Sequence, residues 1–216
     1  MTTVAFVHGH ATSPQSWRDV ADNRPAHWAV VAPNFFARAA GGGVSGAGSP
    51  GVEGIPAGEL AAQINQDLAQ LGIGEPVVVV AEGAGAIVAI RYALDFPERV
   101  GGLVVSGPRL YLRGADVVAM RAASRFGKNG GATREQTRDY LAALKGVDVR
   151  EQAAEVTVPK RVLAAENDRP SRADSRQLRA AGWDFTLVPE AEWDWFTYAP
   201  AAFAAHITRF VGEHEL

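Results

Sequence analysis

The chain contains no cysteine, which excludes disulfides, thiolate metal sites and a cysteine nucleophile, and fits a cytoplasmic setting. Lysine is scarce. Of the 21 basic residues, 3 are Lys and 18 are Arg, a bias that points to GC-rich coding, as in an actinobacterium. Neither charge sign is in excess, because the formal net charge is −3. A nucleic-acid footprint or an anionic membrane partner is therefore not expected. The opening MTTVAFVHG has no basic n-region or cleavage site, so no signal peptide is expected either. Long hydrophobic runs are missing, and the longest, such as 76–81, have the length of a strand rather than a membrane span. What remains is 216 residues, 47% hydrophobic and 21% charged, which suits one buried core and is short for two domains.

Strand-like and helix-like segments alternate along the chain. Residues 4–7 form a β-rich run ending in His8-Gly9-His10, and Ser13-Pro14 then opens a helix with Trp17 and Val20 on one face. A second strand covers 28–32. Residues 39–56 are rich in Gly, Ser and Pro, and a loop of that length is either a functional lid or a passive insertion. Leu60, Ile64, Leu68 and Leu71 have helical spacing. The strongest strand, Val77-Val78-Val79-Val80, leads through Ala81-Glu82-Gly83 into a helix over 84–95. Strand 103–105 follows, ending in Ser106-Gly107-Pro108. Continuous rather than alternating apolar strands imply burial on both faces, as in a parallel sheet covered by helices. Residues 109–158 break the alternation with two or three helices, one opening on the capping pattern Thr133-x-x-Gln136. Strand 161–165, helix 172–181, strand 185–188 and a helix over 200–211 complete an α/β chain of six parallel strands.

This order of elements, together with the residues at the strand ends, resembles the α/β-hydrolase fold superfamily over nearly the whole chain. Phe6-Val7-His8-Gly9-His10 followed by Trp17 is similar to its oxyanion loop. Ala81-Glu82-Gly83-Ala84-Gly85 is similar to its nucleophile elbow, small-x-nucleophile-x-small. Asp168 falls at the place of the triad acid. Residues 188–200 match the loop that carries the histidine, with Pro200 and Phe203 opening the last helix. The resemblance implies one domain over 1–216, a small helical cap at about 109–158, and absence of the family's first two strands.

Two departures bear on function. The nucleophile position holds Gly83, and counting back from Pro200 puts Trp193 at the histidine position. Loss of both removes the nucleophile and its general base, and with them acyl-enzyme chemistry. The oxyanion hole needs only backbone N–H groups, here of His10 and Ala84, and each such donor contributes on the order of 3 kcal/mol to a developing oxyanion. That suffices for enolisation, cyclisation, retro-aldol or elimination chemistry beside an acid or base. Glu82, Asp168 and His10 are the candidates for moving protons. Glu82 can instead pair or cap locally, and Asp168 can remain only to cap the helix that starts near Ser171. His8 is expected to be structural.

Trp17, Phe35, Phe36, Trp193 and Trp195 could wall an apolar pocket for a flat ligand, or simply fill the space left by the missing elements. His8-x-His10 could begin a zinc site, but His27, His206 and His214 fall far away in the expected fold. Gly83-x-Gly85 is part of a dinucleotide fingerprint, yet Val88 holds the third position and no acid follows the next strand. No metal and no cofactor are expected. The partner expected is a small apolar carbonyl compound, such as a secondary metabolite; homodimerisation stays open. Three functions remain: a non-hydrolytic lyase, cyclase or isomerase, a catalytically silent binding protein, and a hydrolase whose water is activated by a carboxylate.

Overall fold

The computed structural model describes residues 1–35, 57–123 and 133–216. Phe36 and the glycine-rich stretch 39–56 lie outside the described residues. Six strands, β1 (Thr3–Val7), β2 (Ala29–Val31), β3 (Val77–Glu82), β4 (Val100–Ser106), β5 (Lys160–Ala165) and β6 (Asp184–Val188), form one sheet. All neighbours pair in parallel, in the order β2-β1-β3-β4-β5-β6. The chain steps outward from β1 to β2 and then returns to place β3 on the other side of β1. In α/β sheets such a reversal is where ligands bind, beyond the carboxyl ends of the strands, here β1 and β3.

The valine run of β3 shows why its apolar residues are continuous. Every residue of β3 is buried. Alternate side chains point to opposite faces, so Val77, Val79 and Ala81 join one core and Val78 and Val80 the other. The first core is covered by α2 (Ala57–Gln70) and α3 (Gly85–Asp95). The second is covered by α1 (Arg18–Asp22), α7 (Trp195–Tyr198) and α8 (Pro200–Glu213). Leu60, Ile64 and Leu68 of α2 face inward as their spacing requires, but Leu71 lies just past the helix end and is exposed. The helix stops one residue before the fourth apolar position could be buried.

Between β4 and β5 lie α4 (Gly114–Ala123) and α5 (Arg134–Leu144). The Thr133 cap forms as the sequence indicates: Thr133 Oγ1 accepts from the Gln136 N–H, and Gln136 Oε1 accepts from the Thr133 N–H. Helix α6 (Arg172–Ala180) joins β5 to β6. None of the described helices is long and apolar enough to cross a membrane.

Candidate active site

Two sharp turns meet beyond the carboxyl ends of β1 and β3. After β3 the backbone enters the left-handed region at Gly83, with φ 54°, and α3 begins two residues later. The Gly83 N–H donates to Ser106 O, and Gly83 O accepts from the N–H groups of Arg109 and Ala86. Among the described residues, a Cβ added at Gly83 would meet nothing within 4 Å, so the position that an elbow uses to present a side chain is left clear by them. Gly85 is a different case. A Cβ there would lie 2.8 Å from both Val7 O and His8 O, so only glycine lets the first turn of α3 press against the end of β1.

The loop after β1 is fixed through His8, which is fully buried. Its Nδ1 lies 2.9 Å from Gly9 O, and its Nε2 accepts from the Phe35 N–H at 3.3 Å. One nitrogen donates and the other accepts, so the ring is the neutral Nδ1–H tautomer. Burial lowers its pKa to about 4, against the smaller opposing effect of the Gly9 carbonyl. The Tyr140 hydroxyl from α5 donates to His8 O at 3.0 Å. His8 is thus structural, as expected.

His10 follows at the open end of this loop and is half-buried. Burial lowers its pKa to about 4, and the Arg109 guanidinium lowers it further. The imidazole is therefore neutral at pH 7. Among the described residues, no acceptor takes the His10 N–H or the Ala84 N–H. These donors stand at the ends of the neighbouring strands β1 and β3, beside the N-terminus of α3 and its favourable dipole for negative charge.

Three carboxyl groups surround the same region. Glu82 is buried, and its Oε1 accepts from the Gly9 N–H at 2.5 Å and from the Thr12 hydroxyl. Its pKa is raised to about 7, chiefly by burial; the Thr12 and Gly9 bonds oppose this, and the charges of Asp194 and Asp168 reinforce it. Asp168 is 7% exposed, and its carboxylate has no hydrogen-bond partner among the described residues. Its Oδ2 lies 2.9 Å from where a Cβ on Gly107 would stand, and Trp193 O lies 3.8 Å from the same point. The turn at Gly107, with φ 51°, thus brings the β5 loop and the β6 loop together. Asp194, half-buried at the start of α7, contributes the third charge.

The aromatic residues divide differently from the sequence expectation. Trp17 is 1% exposed and stacks between Phe6 and Phe196, with centroids at 4.8 and 4.4 Å. Trp195 packs on Phe203 at 4.7 Å and donates from Nε1 to Ser106 Oγ at 2.9 Å. Both rings belong to the second core rather than a pocket wall. Phe35 is likewise a core residue, stacked against Tyr140. Trp193 is 40% exposed, and no atom of it lies within 4 Å of where a Cβ on Gly83 would stand.

Thr12, Arg109, Tyr140 and Asp194 belong to the site without having been singled out from the sequence. For Asp194 the signal lay one position away, in the count back from Pro200. The others are joined to the site by contacts that no local pattern encodes. Arg109 pairs with Asp116 at 3.3 Å and lies 3.9 Å from Asp174, which fixes a cation at the edge of the site. Among the described residues, no group of three or more His, Cys, Asp or Glu could hold a metal ion.

Residues 2–183 match the alpha/beta hydrolase fold family. Solved structures of similar shape include a hydrolase from Pseudomonas aeruginosa PA01, with TM-score 0.79 and 19% identity over 98% of this chain and 90% of that one. The enol-lactonase from Burkholderia xenovorans LB400 gives TM-score 0.77 and 14% identity over 98% and 91%. A thermophilic esterase from Thermogutta terrifontis, malate bound, gives 0.78 and 16% over 100% and 91%. At these identities the likeness is one of fold.

Proposed function

Because this chain belongs to the α/β-hydrolase fold family, whose elbow serves to present a nucleophile, we propose that the glycine at that elbow marks a non-hydrolytic enzyme of the lyase, cyclase or isomerase type. The substrate would be a small, apolar, carbonyl-bearing molecule. The observation that supports this reading is that, among the described residues, nothing lies within 4 Å of a Cβ at Gly83, while the His10 and Ala84 N–H groups have no acceptor and the Asp168 carboxylate no donor among those residues. In the proposed step the substrate carbonyl oxygen lies between the His10 and Ala84 N–H groups. Asp168 removes a proton from the adjacent carbon, the C–H electron pair becomes a carbon–carbon double bond, and the carbonyl π pair moves to oxygen. The resulting enolate returns the proton at carbon or expels a β-leaving group. The two N–H donors stabilise the charge as it forms, and neutral His10 stands ready to donate or accept a proton.

A silent binding protein would call for an aromatic cage over the elbow, and two of the tryptophans expected to form one, Trp17 and Trp195, are committed to the core. The proteins of similar fold, an esterase and an enol-lactonase among them, favour a second reading: hydrolysis by a water that Asp168 activates at the same place.

Incubation in D2O with a panel of cyclic ketones, alongside p-nitrophenyl esters, separates these readings. Deuterium uptake at the carbon next to the carbonyl, without ester cleavage, is the expected result. Ester cleavage without exchange would replace the proposal by the hydrolytic reading, and neither reaction across the panel would leave a binding protein.

A further inference from the structure

We infer that Glu82 is a positioning residue: from the end of β3 its carboxyl group fastens the loop after β1 at the Gly9 N–H, one peptide before the His10 N–H. The inference rests on the oxyanion role proposed for that N–H, but its geometry stands apart from any substrate. Glu82 and Gly9 are 73 residues apart in the chain, and the Glu82 side chain bridges the ends of two neighbouring strands. One oxygen, Oε1, accepts from both the Gly9 N–H and the Thr12 hydroxyl. Thr12 Oγ1 also accepts from the Gly9 N–H at 3.1 Å, so the three groups close a small ring of hydrogen bonds. A Cβ on Gly9 would lie within 3.0 Å of three carboxyl atoms of Glu82. Glycine at 9 and glutamate at 82 are therefore fitted to each other.

The loop is held from other sides by Tyr140, which donates to His8 O, and by Phe35, whose N–H donates to the His8 ring. Those contacts fix His8. Glu82 holds the His8–Gly9 peptide through the Gly9 N–H, and the following peptide, which carries the His10 N–H, is held at Gly9 O by His8 Nδ1. The titratable groups facing Glu82 are Asp168 from the β5 loop, Asp194 from the β6 loop and Tyr140 from α5, with neutral His8 next to Gly9. Asp168 and Asp194 disfavour charge on Glu82, while the Gly9 and Thr12 donors favour it. When Glu82 ionises, its bond from Gly9 becomes charge-assisted and tightens. The hold on the oxyanion loop therefore strengthens as pH rises through neutrality.

The test follows the Gly9 amide of the full chain by 15N NMR between pH 5.5 and 8.5. The Gly9 amide proton is expected to move downfield in one titration with its midpoint near pH 7, and Glu82→Gln is expected to abolish that titration while keeping the fold. In Glu82→Ala, hydrogen exchange at Gly9 is expected to quicken at least about tenfold, with the amides of β4 and α8 unchanged. A Gly9 titration that survives in Glu82→Gln, or unchanged exchange in Glu82→Ala, would overturn the inference. If the Ala variant fails to fold, the Gln variant decides alone. Failure of the ketone assay with these results intact would count against the proposed reaction and leave the clamp standing.

Discussion

Asp168→Asn is expected to lose at least about a hundredfold in turnover, within the usual range for a general base, while melting no lower than the wild type. The two halves of this prediction have one cause. Asp168 is almost fully buried, yet nothing among the described residues donates to its carboxylate. Asparagine has the same shape, and the change breaks no hydrogen bond that the carboxylate makes among the described residues. A residue kept for the fold would show the opposite pattern, because removing a hydrogen-bonded partner leaves its donors unpaired. Turnover measured on the best ketone of the panel, with a thermal melt of the same samples, checks both halves. Retained turnover would remove Asp168 as the base. A clear loss of melting temperature would instead make it a structural remnant.

Glu82→Gln is expected to be more stable than the wild type above pH 7, with a gap that closes at low pH. The folded value of about 7 stands above the ordinary 4.5, so between these values the folded chain holds a proton that the unfolded chain has released. Glu82 therefore contributes stability that is fully present below pH 4.5 and is lost as pH rises through 7. The loss is on the order of 3 kcal/mol, or roughly 6–12 °C in melting temperature for a chain of this size. Glutamine keeps an acceptor for Gly9 and Thr12 and cannot ionise, so its melting curve lacks this component.

His8 and His10 act in the other direction. Their folded values of about 4 lie below the ordinary 6.5, so their contribution is present above pH 6.5 and lost as pH falls through 4. From these three groups the wild type is most stable between pH 6.5 and 7. Melts at pH 5.5 and 8.5 check the difference between wild type and Glu82→Gln. A difference that does not change with pH would contradict the assignment.

The fold was largely legible because its signals are local and redundant. The valines of 77–80 need cover on both faces, the Thr133-x-x-Gln136 cap forms as written, and the small residues around Gly83 permit a positive φ. Directions of side chains were less legible. Counting back from Pro200 reaches Trp193, but a one-residue difference in a loop decides which side chain points inward, and here Asp194 supplies the charge felt by Glu82. Trp17 and Trp195 illustrate a second limit. A tryptophan in the core and one in a pocket look alike in sequence, and only the stacking partners Phe6, Phe196 and Phe203 tell them apart. The role of Glu82 was hidden for a third reason: its partners lie at Gly9 and Thr12, and sequence distance gives no hint of their contact.

The central claim is that a carbonyl oxygen binds between the N–H groups of His10 and Ala84. Titration of 15N-labelled protein with a series of substituted phenols, whose phenolates mimic an enolate, tests it most directly. The account predicts downfield shifts of both amide protons that saturate together and grow with the acidity of the phenol. Saturation elsewhere in the protein, with the His10 and Ala84 amides unmoved, would contradict it.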